Sequence, residues 1–148
     1  MRIIDLTRTI QAEMPVYPGD PEVQFRRAAD YGEAGFRVST LELGTHAGTH
    51  VDAPAHFLPG APTIDLLSPG VLVGPARVVD MQEGNAAFTA GERIVVRSGW
   101  GQRWGSADYY SGFPGLPAAF AERLAAAPVG LVALETPSLH PEPEEDAR

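Results

Sequence analysis

The feature that most constrains this chain is a run of eleven residues, His-Ala-Gly-Thr-His-Val-Asp-Ala-Pro-Ala-His, which begins at His46 and ends at His56. In a straight β-strand the two outer histidines would lie about 33 Å apart. Bonds from a metal ion to histidine nitrogen or carboxylate oxygen are only about 2.0–2.2 Å long. Gly48 permits a tight turn, and Pro54 prevents a continuing helix. The segment must therefore bend if its polar side chains act together.

A bend at Gly48 predicts a metal site formed by His46, His50 and Asp52. Residues four apart on a helical turn lie about 5–6 Å apart, which brings the two histidines together. Two imidazoles and one carboxylate suit zinc, manganese or ferrous iron and leave positions open for water and substrate. The proline carries His56 away from the other three, so we expect it to act as an acid or base. The alternative is a loop of separately solvated histidines, but three histidines and an aspartate in eleven residues favour metal binding.

Composition excludes several other kinds of function. The chain has 148 residues, 44% of them hydrophobic, which is enough for the core of one domain. A formal net charge of -8 argues against nucleic acid or an anionic membrane as partner, because phosphate would be repelled. Lysine and cysteine are absent, so a metal must take nitrogen and oxygen ligands and a Schiff-base lysine is excluded. The N-terminus lacks the apolar run of a signal peptide, so we expect a soluble cytoplasmic protein.

Apolar patterning predicts a β-rich chain with one clear helix, and therefore a mixed α/β domain. A bulge near Thr40 would bring Val38 and Leu41 to the same face of its strand. The helix is expected at residues 117–127, and a single helical turn at 64–67. The predicted strands cover residues 2–10, 24–31, 36–44, 71–73, 77–81, 93–97 and 129–135. The second and third of them are expected to form a hairpin.

Five aromatic residues, spaced by glycines, follow the strand at 93–97, and a loop of this kind can line a pocket for a flat ligand. Trp100 and Phe113, at its two ends, are candidate substrate contacts. The alternative is a loop pinned to its own core by aromatic packing. The five are Trp100, Trp104, Tyr109, Tyr110 and Phe113.

The eleven-residue run resembles the signature of a known family. His-x-Gly-Thr-His-x-Asp-x-Pro-x-His is typical of the cyclase-like metal hydrolases, which include bacterial kynurenine formamidase and isatin hydrolase, and every fixed position is filled here. Segments 15–21, 74–76, 98–100 and 136–138 resemble the family's other landmarks in the same order. The resemblance therefore implies a domain over residues 1–140, followed by an acidic, proline-rich tail over 141–148. Family members continue further, so the domain is expected to be incomplete at its C-terminus, either as a fragment, a piece of a cleaved chain or a naturally short homologue.

The resemblance also implies a fold, a reaction and further site residues. The fold is a β-rich, barrel-like mixed sheet with flanking helices, of the swivelling β/β/α type. The reaction is metal-dependent hydrolysis of an amide in a small aromatic substrate, like an arylformamidase of tryptophan catabolism, with zinc as the first candidate metal and manganese as the second. Ser138 resembles a serine that holds or polarises substrate, and a plain turn serine is the alternative. Tyr17 and Asp20 lie in a loop that is near the active site in the family, although a surface connection explains it equally well.

Two alternatives stay open. Two histidines and one carboxylate are also the ligand set of non-haem iron oxygenases. The other is a truncated homologue that binds metal or a partner without catalysis. His140 and Glu142 are candidate late metal ligands, and the alternative for them is a solvated chain end. A serine-hydrolase route is disfavoured because no Gly-x-Ser-x-Gly elbow occurs. Strand edges left uncovered by the missing part predict a homo-oligomer.

Overall fold

A computed structural model describes residues 5–141 of the chain. The chain divides into two compact units, Met1–Asp65 and Leu66–Arg148, which are called the first and the second unit below. The predicted tail from residue 142 onward, with Glu142, lies outside the described residues, as do residues 2–4 of the first predicted strand.

The first unit contains the predicted hairpin. Strand β1 (Gln24–Ala29) pairs antiparallel with β2 (Val38–Glu42), and the short helix α1 (Tyr31–Ala34) connects them. The Asp30 carboxylate caps this helix by accepting a 2.8 Å hydrogen bond from the backbone N–H of Tyr31. The hairpin prediction is therefore confirmed.

The predicted position of the bulge is wrong. The register shifts between Arg27 and Ala29 on β1, whereas β2 pairs without interruption. Because side chains alternate along an unbulged strand, Val38 and Leu41 project from opposite faces of the hairpin. They are 47% and 48% exposed, so neither face is covered within the described chain.

The strand predicted for residues 2–10 is also wrong over its described part, because residues 5–10 form no strand. The side chain of Asp5 accepts hydrogen bonds from the backbone N–H and the hydroxyl of Thr7, at 2.9 and 2.6 Å. The N–H of Arg8 donates to the Thr49 hydroxyl at 3.0 Å. Side chains thus take backbone donors that a sheet would need.

The second unit is built on a parallel sheet in the order β3 (Arg77–Asp80), β4 (Arg93–Arg97), β5 (Leu131–Leu134). Helix α3 (Ala118–Ala126) lies between β4 and β5 in sequence, as a parallel crossover requires. The predicted strands at 77–81, 93–97 and 129–135 and the predicted helix are confirmed. The most deeply buried side chains of this unit are Val79, Ile94, Val96 and Phe120, each at most 2% exposed.

The strand predicted at residues 71–73 is wrong, because helix α2 (Pro69–Leu72) occupies that region. The hydroxyl of Ser68 accepts the N–H of Gly70 at 3.3 Å, and proline stands at the first position of the helix. The guanidinium of Arg93 donates to the carbonyl of Val71 at 2.6 Å and so satisfies a carbonyl of this short helix. The Ser68 cap and the proline therefore favour a helix here, although the valines of residues 71–73 favour a strand.

The mixed α/β class is confirmed. Within residues 5–141 the strands form one sheet of two and one of three, and no closed barrel. The smaller predicted turn is present as a 3-10 helix at Ile64–Leu66. Over the same residues, no helix combines the length and apolarity needed to cross a membrane.

Candidate metal centre

The histidine-rich segment bends at Gly48, as its sequence predicts. Gly48 adopts φ +65°, and a Cβ atom there would come within 2.8 Å of Ile10 Cδ1 and 3.2 Å of Met14 Cε. Ala47, next to it, is buried, and its N–H donates to the carbonyl of Gly44 at 3.1 Å. Small residues are therefore needed where the turn packs on the N-terminal segment.

The bend brings His46, His50 and Asp52 together. Asp52 Oδ1 lies 2.7 Å from His46 Nδ1 and 3.4 Å from His50 Nε2. One ligand atom from each residue lies within 4.8 Å of the others. Two ligand atoms held about 2.1 Å from one tetrahedral ion are about 3.4 Å apart, so the group fits a divalent metal after small side-chain shifts.

A backbone contact orients one of these imidazoles. His50 Nδ1 lies 3.0 Å from the carbonyl oxygen of Gly48, which can only accept, so Nδ1 carries the proton and donates. The lone pair of the ring is then on Nε2, the atom nearer Asp52. Metal-binding histidines in proteins almost always have such a second hydrogen bond. The side chains of His46, His50 and Asp52 are 30%, 29% and 41% exposed, respectively, so water and a substrate can reach them.

His56 lies closer to this group than the sequence suggests. Pro54 does not simply extend the chain but begins a 3-10 turn, Pro54–His56, in which the N–H of His56 donates to the carbonyl of Ala53 at 2.9 Å. This turn places the His56 ring over that of His46, with centroids 4.1 Å apart and planes tilted by 34°. His56 is exposed and is not part of the ligand group. Its position suits a group that exchanges protons beside the metal site.

Tyr17 and Asp20 lie in the first unit, in a turn that the Asp20 N–H closes by donating to the Tyr17 carbonyl at 2.9 Å. Gly19 in this turn has φ +92°. Both side chains are half-buried. Their predicted contact with substrate stays a prediction.

Trp100, Phe113 and Ser138 lie in the second unit. The indole N–H of Trp100 donates to the carbonyl of Tyr109 at 2.9 Å, so the ring is fixed at the start of residues 100–113, which are called the aromatic segment below. Phe113 is only 3% exposed and packs inside the unit. Ser138 is half-buried in the turn after β5, where its carbonyl accepts the Thr136 hydroxyl at 2.9 Å. The substrate roles of these three residues stay predictions.

Sequence analysis does not single out Glu135, which the structure places at the end of β5. Its carboxylate accepts hydrogen bonds from Ser98 and Gly99, which follow β4. The available signal was an acidic residue directly after one buried strand and a Ser-Gly pair directly after another. Because parallel strands end at the same edge of a sheet, such residues lie close together.

The chain matches known proteins over almost its whole length. The model of the Cyclase family matches residues 4–141. Kynurenine formamidase from Salinibacter ruber is 42% identical over 98 residues, which cover 64% of this chain and 45% of that protein. Kynurenine formamidase from Maricaulis maris is 31% identical over 150 residues, covering 93% of this chain and 70% of that protein. The chain thus spans less than half of the first of these relatives.

Solved structures share the fold. Isatin hydrolase A from Ralstonia solanacearum superposes with a TM-score of 0.74 at 24% identity, over 95% of this chain and 68% of that one. Isatin hydrolase A from Labrenzia aggregata, bound to benzyl benzoate, gives 0.73 at 23% identity, over 95% of this chain and 70% of that one. At such identities the likeness establishes architecture alone.

Proposed function

The chain belongs to the Cyclase family, and we propose that it is a metal-dependent hydrolase that cleaves an amide bond in a small aromatic molecule. An arylformamide such as N-formylkynurenine, an intermediate of tryptophan catabolism, is the leading substrate class. The observation that carries this proposal is the convergence of His46, His50 and Asp52 at one exposed turn. Two relatives, 42% and 31% identical to this chain over the aligned residues, are kynurenine formamidases.

The three side chains would hold a divalent cation, with zinc as the first choice and manganese as the second. Two imidazole nitrogens and a carboxylate oxygen suit both ions. When bound, such an ion lowers the pKa of a coordinated water to about 7 and so makes hydroxide available near neutral pH. The Gly48 carbonyl keeps the His50 ring turned for this role through its bond to Nδ1.

Other residues of the chain would handle protons and substrate. His56, stacked on His46 and open to solvent, accepts or relays the proton that hydrolysis releases. Ser138 is proposed to hold the substrate carbonyl and to stabilise its oxyanion. Contacts to the substrate are assigned to Tyr17, Asp20, Trp100 and Phe113, on the strength of the family resemblance and of the aromatic residues between Trp100 and Phe113.

The test is metal analysis of the purified chain combined with an arylformamidase assay. We expect bound zinc or manganese together with turnover. Asp52→Asn should lower metal affinity by at least about a hundredfold, because it removes the only charged ligand of the group. The matched control is Asp65→Asn in the same unit, whose carboxylate accepts only from the Thr63 hydroxyl in the described chain. Equal metal content in the two variants would refute the site.

Two other outcomes would point elsewhere. Bound iron with oxygen consumption would indicate a non-haem oxygenase, whose ligand set is the same. Bound metal without turnover would indicate a homologue that binds metal or a partner without catalysis, and the partial coverage of its relatives favours testing this.

We also propose that the protein is a cytoplasmic homo-oligomer and that its full domain has the barrel-like core of the swivelling β/β/α type. The support for self-association is the hairpin of the first unit, where the directly paired Phe25 and Leu41 are 46% and 48% exposed. Apolar pairs beside unpaired strand edges favour association. Light scattering at increasing protein concentration tests this, and a monomer at every concentration would refute it.

A further inference from the structure

One carboxylate oxygen binds two strand ends together in the second unit. Glu135, the residue after β5, accepts through Oε2 the backbone N–H groups of Ser98 at 2.8 Å and Gly99 at 2.6 Å. The same oxygen accepts the Ser98 hydroxyl at 3.0 Å. Hydrogen bonds to an ionised group are about twice as strong as neutral ones. The start of the segment after β4 is therefore held by a residue 37 positions away in sequence.

These bonds continue into a closed circuit around Trp100. The Ser98 hydroxyl also accepts the backbone N–H of Trp100 at 3.1 Å. The indole N–H of Trp100 donates to the carbonyl of Tyr109 at 2.9 Å. The hydroxyl of Tyr109 donates to the backbone carbonyl of Glu135 at 3.0 Å, which returns the circuit to its starting residue.

The circuit fixes both ends of one side chain. The backbone N–H of Trp100 is bound by Ser98, and its indole N–H is bound by Tyr109. Ser98 and Tyr109 are each hydrogen-bonded to Glu135 in turn. Gly99, with φ +78° and ψ -3°, turns the chain so that consecutive N–H groups face the carboxylate. An aromatic ring held in this way binds a flat ligand without losing side-chain freedom at the moment of binding.

We propose that Glu135 is a positioning residue that holds Trp100 in the orientation in which it binds the aromatic ring of the substrate. The inference rests on the proposed function, which supplies the aromatic substrate. Because the printed hydrogen bonds of the Glu135 carboxylate go to Ser98 and Gly99, its loss should change substrate binding and not the chemical step.

The experiment compares Glu135→Gln with Glu92→Gln. The control carboxylate is bound as extensively, by Arg77 Nε at 2.6 Å, by Arg77 Nη2 at 3.1 Å and by the N–H of Thr89 at 3.0 Å, but lies before β4. Both tryptophans of the protein, Trp100 and Trp104, lie in the aromatic segment, so near-ultraviolet circular dichroism reports on it.

Glu135→Gln should weaken the tryptophan signal of the near-ultraviolet spectrum and raise KM for formanilide, a simple arylformamide, about tenfold, the effect of losing one charge-assisted hydrogen bond. The value of kcat should stay within about twofold, since the reacting groups are untouched. Glu92→Gln should change neither reading. An unchanged spectrum and KM in Glu135→Gln overturns the proposal, and so does a changed spectrum with an unchanged KM.

Two further measurements keep the result decisive. If Glu135→Gln does not fold, Ser98→Ala removes one bond to the carboxylate and the acceptor of the Trp100 N–H, and a smaller change in the same direction is expected. If the wild-type chain does not hydrolyse formanilide, the proposed function fails, and formanilide binding is then followed by tryptophan fluorescence. Binding weakened by Glu135→Gln would still support the positioning role, whereas equal or absent binding would overturn it.

Discussion

The two units of this protein differ in what holds them together. In the described part of the first unit, only Met14, Val23 and Ala47 are buried apolar residues. The second unit has a continuous core on one parallel sheet, with Val79, Ile94, Val96 and Phe120 almost fully buried and α3 packed against them. The unit that carries the candidate metal ligands is therefore the one with little core of its own. The geometry of its candidate site depends on turns and local hydrogen bonds, whereas the stability of the second unit depends on buried apolar area.

This difference separates the candidate metal ligands from the main buried core along the chain. Ligands on a turn are set by a few backbone angles, and a substitution there changes the site with little loss of buried surface. Substitutions in the core of the second unit lose buried surface and do not replace any ligand side chain. The following variants test that separation, beginning with the largest expected effect.

His56→Ala should lower kcat by about 100- to 10,000-fold, the usual contribution of a general acid or base. Metal content and the free energy of unfolding should stay close to wild type, because His56 is exposed and outside the ligand group. Metal analysis, steady-state kinetics and urea denaturation measure the three quantities. Loss of metal would instead make His56 a ligand, and its predicted role would be wrong.

Phe120→Ala should show the opposite behaviour. This side chain is 1% exposed and lies 5.2 Å from the Phe88 ring, so its removal should cost about 3–5 kcal/mol in the free energy of unfolding. Phe25→Ala is the matched control, since that ring is 46% exposed and should cost less than about 1 kcal/mol. Urea denaturation of both variants measures the difference, and equal losses would contradict the contrast between the units.

Gly48→Ala tests whether backbone geometry sets the metal site. The new Cβ would lie 2.8 Å from Ile10 Cδ1 at φ +65°, which should cost about 1–2 kcal/mol and displace the carbonyl that orients His50. Gly60→Ala has a similar φ of +78° but open space around it, so it reproduces the backbone strain without the clash. Zinc titration should show weaker binding only in Gly48→Ala. Equal zinc affinity in both variants would show that the turn tolerates a side chain.

The smallest expected effect is in the pH dependence of the second unit. Hydrogen bonds from Arg77 and then from the Thr89 N–H lower the pKa of Glu92 below its ordinary value of 4.5. A lowered pKa means that the stabilisation is fully present above about pH 4.5 and is lost as the pH falls through the lowered value. Glu92→Gln should therefore flatten the decline of the melting temperature between about pH 5 and pH 3. An identical decline in both proteins would show that this pair does not contribute to acid stability.

Local sequence carried much of the structure in both units. Strand β4 was predicted with its observed bounds, and α3 within one residue at each end, because a run of β-branched residues and an alanine-rich segment between prolines are local signals. The predicted metal ligands span only seven residues, so one glycine turn suffices to bring them together. Two of the errors arose where side chains from elsewhere in the sequence took part. Arg93 satisfies the carbonyl of Val71 in the region predicted as a strand, and Thr49 takes the N–H of Arg8.

The sequence by itself determined which ligands the candidate metal site offers, because its nitrogen and oxygen donors lie in one short segment and the chain has no lysine or cysteine. It also determined the mixed α/β class, through the periodicity of its apolar residues. Only the tertiary structure decided which groups meet across long separations, such as Glu135 with Ser98 and Gly99, and the stacking of His56 on His46. Those contacts depend on the alignment of strands and the closure of turns. A pattern in neighbouring residues does not specify either of them.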